Sequence, residues 1–235
     1  MIQRAVILAA GLGTRLKWLT ERRPKALLPV AGKPAIAHVI ERLVASGVRD
    51  IAVNAHHHAE QLQNYLQHGE RFGCRIQISH ETALLDSAGG VKQALQFLPG
   101  SGAFFIHNAD ILSDIDLRQL ARATQRYPQQ SSLLALVANP PHHPQGDFQL
   151  AGHHLQVIAP HAAATSWTFA GVSVWDEHSF DTLPSGEPCS LLPLIHQQIA
   201  AKRCYGYIHR HHWFDIGRPA DLMRAHRFFA IDAYK

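Results

Sequence analysis

Ala5-Val6-Ile7-Leu8-Ala9-Ala10 is an unbroken apolar run that stops at Gly11, the pattern of a strand buried on both faces. Such a strand needs helices on either side of its sheet. Pro34 to Ser46 supplies the first, with Ile36, Val39, Ile40, Leu43 and Val44 at helical spacing, a proline in the first turn and Gly47 as a stop. The alternation then repeats. Strands are predicted at Asp50 to Asn54, Arg75 to Ser79 and Ala103 to His107, and helices at Glu60 to Leu66, Gly89 to Leu98 and Leu117 to Arg126. After the apolar strand Leu133 to Ala138 the rhythm changes. Asn139 to Gly146 is rich in proline and histidine, and the short pieces Phe148 to Leu150 and Leu155 to Ile158 predict a hairpin. A strand at Ser166 to Val174, a helix at Leu191 to Ala200, a strand at Cys204 to His209 and a helix at Pro219 to Phe229 follow.

This order predicts an α/β fold, a Rossmann-like three-layer sandwich with a mixed, mostly parallel central sheet and a small β-hairpin insert in the second half. The loops that follow its strands gather along one edge, where ligands of such sheets bind. No repeat, linker or shift in composition divides the chain, so residues 1–235 read as a single domain. With 46% hydrophobic and 17% charged residues the sequence is far from the disordered regime. Its apolar runs are about a third of the roughly 20 residues a bilayer helix requires, and the start of the chain lacks the pattern of a secretory signal.

Lys and Arg number 22 against 18 Asp and Glu, a net charge of +4 spread along the chain. Without a basic block, nucleic acid is not an indicated partner. Cys74, Cys189 and Cys204 are odd in number and far apart, which disfavours a disulfide framework or a cysteine zinc site and fits the cytoplasm. The 18 histidines fall largely in doublets and triplets such as His56 to His58 and His142-His143. Adjacent side chains cannot all point one way, so these read as solvated loop histidines.

Chemistry enters at Gly11-Leu12-Gly13-Thr14-Arg15, directly after the first strand. Glycines there allow a sharp turn that presents backbone N–H groups to an anion. Two common phosphate folds are disfavoured. A dinucleotide fingerprint needs a glycine at position 16, which is Leu16, and an acid near Asn54; a P-loop needs Ser or Thr after Gly32-Lys33, where Pro34 stands. Arg15 and Lys25, both on the loop beyond the strand, can converge on a triphosphate and neutralise charge during phosphoryl-type transfer. Lys25 is expected to be exposed.

The run Gly11-x-Gly13-Thr14-Arg15-Leu16, then Pro24-Lys25, then Leu28-Pro29-Val30-x-Gly32-Lys33-Pro34 resembles the signature of the sugar-phosphate nucleotidyltransferases. Later segments are similar too. Ser87-Ala88-Gly89 resembles T-A-G, Asn108-Ala109-Asp110 resembles x-G-D, and Trp213-Phe214-Asp215-Ile216-Gly217 with Pro219 resembles W-x-D-x-G-T-P. Asn139-Pro140-Pro141-His142-His143-Pro144-Gln145-Gly146-Asp147-Phe148 looks like the N-P-x-H-x-P-x-G-D-F segment of the N-acetylmuramic acid 1-phosphate uridylyltransferases.

The resemblance implies a magnesium-dependent enzyme that joins a sugar 1-phosphate to a nucleoside triphosphate, UTP and N-acetylmuramic acid 1-phosphate being the leading pair, in peptidoglycan recycling. Mannose or heptose 1-phosphate with GTP or another nucleotide, or a catalytically impaired nucleotide-binding module, are the alternatives. It implies catalytic Arg15 and Lys25, and nucleotide contacts from Ala10, Gly11, Gly13, Thr14, Glu81, Ser87 and Gly89. Sugar-phosphate contacts would come from Asn108, Gly146, Asp147 and Gly171, and Mg2+ would bind Asp110 and Asp215. Ala109 replaces a glycine in this pattern, which requires an ordinary negative φ at that position.

Overall fold

The computed structural model describes residues 1–158 and 165–232. The chain runs through β1 (Arg4–Leu8), the short hairpin β2 (Pro29–Val30) and β3 (Lys33–Pro34), α1 (Ala35–Ser46), β4 (Asp50–Ala55), α2 (Ala59–Leu66), β5 (Arg75–His80), α3 (Asp86–Leu95), β6 (Ala103–Asn108), β7 (Ile111–Ser113) and α4 (Leu117–Thr124). It continues with β8 (Ser132–Val137), β9 (Phe148–Ala151), β10 (His154–Val157), β11 (Ser166–Asp176), α5 (Leu191–Ala200), β12 (Cys204–Ile208), β13 (Trp213–Asp215) and α6 (Pro219–Asp232). Nine strands form one sheet in the order β5-β4-β1-β6-β11-β8-β12-β10-β9, while β7 and β13 make a separate antiparallel ladder.

The central sheet is mixed and mostly parallel as predicted, with β11 and β10 running against the other seven strands. Alternate side chains of β1 sort to opposite faces, as strand geometry demands. Ala5 and Ile7 pack with Ile36, Ile40 and Leu43 of α1 and with Leu62 and Leu66 of α2. Val6 packs with Val91 and Ala94 of α3 and with Leu191 and Leu194 of α5. Helices therefore cover both faces, and each fully buried aliphatic side chain contributes roughly 1.5–3 kcal/mol. No described helix is long and apolar enough to cross a membrane.

Parallel register brings the ends of three strands together, because Leu8 pairs with Asn54 of β4 and with Asn108 of β6. The loops after β1, β4 and β6 thus leave the sheet side by side. The predicted first strand extended to Ala10, but pairing stops at Leu8. The N–H groups of Ala9 and Ala10 turn instead to the Asn54 side chain, at 2.6 and 3.3 Å. The helix predicted from Gly89 begins at Asp86, at φ 57°, where its carboxylate accepts from the Ser87 N–H. Its last turn tightens beyond Leu95 into bonds three residues apart. The predicted hairpin is present as β9 and β10, and it extends the sheet edge.

Candidate active site

Asn54 governs the glycine-rich loop. Its Oδ1 holds the Ala9 and Ala10 N–H groups, and its Nδ2 donates to Glu81 Oε1 at 2.8 Å. The other Glu81 oxygen accepts from the Leu85 N–H at 3.0 Å. Both side chains are buried, and Gly90 leaves the space they need, since a Cβ there would stand 2.5 Å from Asn54 Nδ2 and 2.6 Å from Glu81 Oε1. Gly13 adopts φ 64°, and its carbonyl accepts from the Thr20 hydroxyl at 3.0 Å and the Leu16 N–H at 2.9 Å. The loop so held forms one wall of a cleft of about 610 Å³.

Four charges meet beside this cleft. Asp110 follows β6, and Asp215 stands opposite Ile111 in the β7/β13 ladder; the Ile216 N–H donates to the Asp110 carbonyl at 3.0 Å. Two acids 105 positions apart in the chain are thereby neighbours. Lys25 Nζ forms an ion pair with Asp110 and lies 3.9 Å from Asp215 Oδ1, and an Arg15 guanidinium nitrogen lies 3.9 Å from Asp215 Oδ2. The Lys25 side chain is 11% exposed, so the expectation that it stands free in solvent is wrong. Its ammonium is drawn inward because two carboxylates there need a cation.

Gly217 makes this crowding possible. A Cβ on it would lie 2.7 Å from the Arg15 guanidinium, 2.8 Å from Asp215 Oδ1 and 3.0 Å from Lys25 Nζ. Its N–H donates to Asp215 Oδ1 at 2.8 Å. Ala109 is buried and is absent from the residues at positive φ, so alanine fits where the resembling pattern has glycine. Beneath Asn108, His107 is buried with Nδ1–H donating to the Asn108 carbonyl at 2.9 Å. Burial pushes its imidazole pKa down to about 4, leaving it neutral at pH 7.

A second cavity of about 320 Å³ adjoins the first, and Arg15 and Asn108 line both. Its walls include His142, His143, Thr168, Phe169, Gly171, Trp213, Asp215 and Arg218. Gly171, at φ 72° beside a register shift in β11, lets Asn108 and Ile111 approach to where its Cβ would be, at 2.8 Å each.

The structure gathers most of the residues read from sequence. Ala10, Gly11, Gly13, Thr14, Arg15, Lys25, Glu81, Ser87, Asn108 and Asp110 line the larger cleft, and Asn108, Gly171 and Asp215 the smaller cavity. Glu81 has both oxygens occupied by the chain and acts there as a brace. Three residues fall outside both walls. Gly89 packs against the backbone near Glu187 and Cys189, and its N–H donates to the Cys189 carbonyl. Gly146, at φ 65°, packs on Asn139. Asp147 accepts from His143 Nε2 at 2.9 Å and from the Phe169 N–H at 2.8 Å, so it ties the loop to β11 and orients a histidine that does line the cavity. Gly217, His143 and Arg218 were given no role at the site from the sequence; the short Asp-x-Gly spacing of Asp215 and Gly217 was the available signal.

A nucleotidyl transferase family model matches residues 4–231. The chain belongs to that family. It is 36% identical to the N-acetylmuramate alpha-1-phosphate uridylyltransferase of Neisseria meningitidis serogroup B, over 94% of this chain and 96% of that protein. It is 34% identical to the protein of the same name from Caulobacter vibrioides, over 94% of each. The solved structure of HddC from Yersinia pseudotuberculosis complexed with GMP-PN superposes with a TM-score of 0.79, covering 97% of this chain and 100% of that one at 20% identity. That last likeness concerns the fold alone.

Proposed function

We propose that this protein, as a single domain, transfers a uridylyl group from UTP to N-acetylmuramic acid 1-phosphate, giving UDP-N-acetylmuramic acid and pyrophosphate. The observation that carries this reading is the Arg15, Lys25, Asp110 and Asp215 cluster at the junction of two cavities, one large enough for a nucleotide and one smaller. The relatives' names supply the choice of nucleotide and sugar.

A phosphate oxygen of the sugar 1-phosphate attacks the α-phosphorus, the bond from that phosphorus to the bridging oxygen breaks, and pyrophosphate leaves with the electron pair. Two anions must be held in line against their repulsion. The loop from Ala10 to Thr14 would cradle the triphosphate, with Ser87 also lining the cleft. Arg15, which lines both cavities, would neutralise the phosphate oxygens between donor and acceptor, and Lys25 would do so from below. Asn108 and Gly171 would border the sugar phosphate.

Asp110 and Asp215 are hard oxygen donors, partly exposed and already drawn to a common cation, which fits Mg2+ in a site completed by phosphates and water. The bound ion would supply charge neutralisation at the transferring phosphate. Among the described residues no group of three or more histidine, cysteine or acidic side chains is arranged for a metal, so this pair is the donor set on which the reading rests. The reading places the protein in the cytoplasm, in cell-wall recycling.

Pyrophosphate release across the four common nucleoside triphosphates and a panel of sugar 1-phosphates, with and without Mg2+, tests it. The expected outcome is turnover with UTP and N-acetylmuramic acid 1-phosphate that requires the ion. Preference for GTP with mannose or heptose 1-phosphate, or nucleotide binding without turnover, contradicts it.

A further inference from the structure

Among the described residues that line the two cavities, Arg218 is a cation that the transfer chemistry does not use. It lines the smaller cavity and is absent from the walls of the larger cleft, whereas Arg15 borders both. Its charge is therefore placed on the acceptor side, away from the triphosphate. The carboxylate that shares the cavity, Asp215, is already engaged by Lys25, Arg15 and the Gly217 N–H. Among the described residues the Arg218 side chain makes no ion pair or hydrogen bond of its own. His143 faces the same space, held by Asp147 through its Nε2–H, which leaves Nδ1 available to a ligand.

A sugar 1-phosphate needs one cationic end for its phosphate, and Arg15 at the junction provides it. A second arginine in the lining of the acceptor cavity is superfluous for a neutral sugar. It is suited to an acceptor that carries another anion, because a planar guanidinium matches a carboxylate in two parallel hydrogen bonds. We propose that Arg218 is a specificity-determining residue that binds the carboxylate of an acidic sugar 1-phosphate. This rests on the proposed function, since the lactyl group of N-acetylmuramic acid 1-phosphate bears such a carboxylate and N-acetylglucosamine 1-phosphate, otherwise alike, does not.

The test compares kcat/KM for these two acceptors with UTP, in the parent protein and in Arg218→Thr, Arg218→Ala and Arg218→Lys, each first checked for an unchanged melting transition. Threonine is the residue at this place in the W-x-D-x-G-T-P pattern. The expected result is that the preference for the acidic acceptor falls about 10- to 100-fold in the Thr and Ala variants, carried by its KM, and returns in part with lysine. An equal loss with both acceptors would mean that Arg218 serves the shared phosphate, and no loss that it serves neither; both overturn the inference while the transferase reading stands. A parent protein that turns over acceptors without a second acid and refuses N-acetylmuramic acid 1-phosphate would overturn both.

Discussion

At the scale of single residues, the cluster behaves as one electrostatic unit in which each member exists to answer another. On the proposed reading Asp110→Asn removes a carboxylate that would hold the Mg2+ neutralising the transferring phosphate, and pyrophosphate release is expected to fall on the order of 100-fold or more. Lys25 is different from a surface cation, because its loss leaves Asp110 and Asp215 facing each other with reduced compensation. Lys25→Met should therefore cost activity and also lower the melting temperature in EDTA, with added Mg2+ recovering more of that loss than it adds to the parent. A melting temperature equal to the parent's in EDTA would contradict the pairing. Gly217→Ala should cut turnover about tenfold or more and also lower the melting temperature, since the added methyl group would push the charged ends of Arg15 and Lys25 away from Asp215.

His107 gives a pH signature separate from catalysis. Its imidazole pKa is lowered from the ordinary 6.5 to about 4 by burial, so between those values the unfolded chain binds a proton that the folded one refuses. Stability is then complete above about pH 6.5 and declines as pH falls toward 4, with a loss on the order of 3 kcal/mol over the interval. Urea unfolding at pH 7 and pH 4.5 should show this decline, and it should be smaller in His107→Gln. An identical decline in both proteins would remove His107 from the account.

At the scale of elements, the first strand and its loop show what the hydrophobic pattern could and could not convey. Ala5 to Leu8 were legible because a strand buried on both faces leaves a continuous apolar run. Ala9 and Ala10 look the same in sequence, yet they leave the ladder for a side chain that lies 44 or 45 residues further on. The β7/β13 ladder was invisible for a related reason. Each of its strands has three residues, too few for any period, and it is this ladder that makes neighbours of Asp110 and Asp215. Motif spacing identified both acids, while their meeting depended on long-range pairing. Gly146 and Asp147 lie outside the cavity walls, in the loop that carries His143, where Asp147 accepts from the His143 ring and Gly146 packs on Asn139; the motif alone could not show that placement.

The same reasoning makes Asn54 a structural keystone of the loop. Asn54→Ala would strand the Ala9 and Ala10 N–H groups and uncouple Glu81, at a cost of roughly 2 kcal/mol or more. Denaturant unfolding should register that loss, and the KM for UTP should rise because the loop is no longer held open. A variant that loses stability with an unchanged KM would separate the brace from the binding surface.

At the scale of the whole molecule, the sheet converts parallel register into a functional edge. The strands β1, β4 and β6 end level, so the glycine-rich turn, its brace and Asp110 emerge together, and the reversal at β11 brings the smaller cavity against them. The central claim is that Asp110 and Asp215 form one cation site, and a double-variant cycle tests it most directly. Binding of Mn2+ in the presence of UTP, followed by electron paramagnetic resonance, should be weakened about as much by Asp110→Asn or Asp215→Asn alone as by the two together. Losses that simply add, or a variant of either acid that binds as tightly as the parent, would show that the two carboxylates do not share an ion.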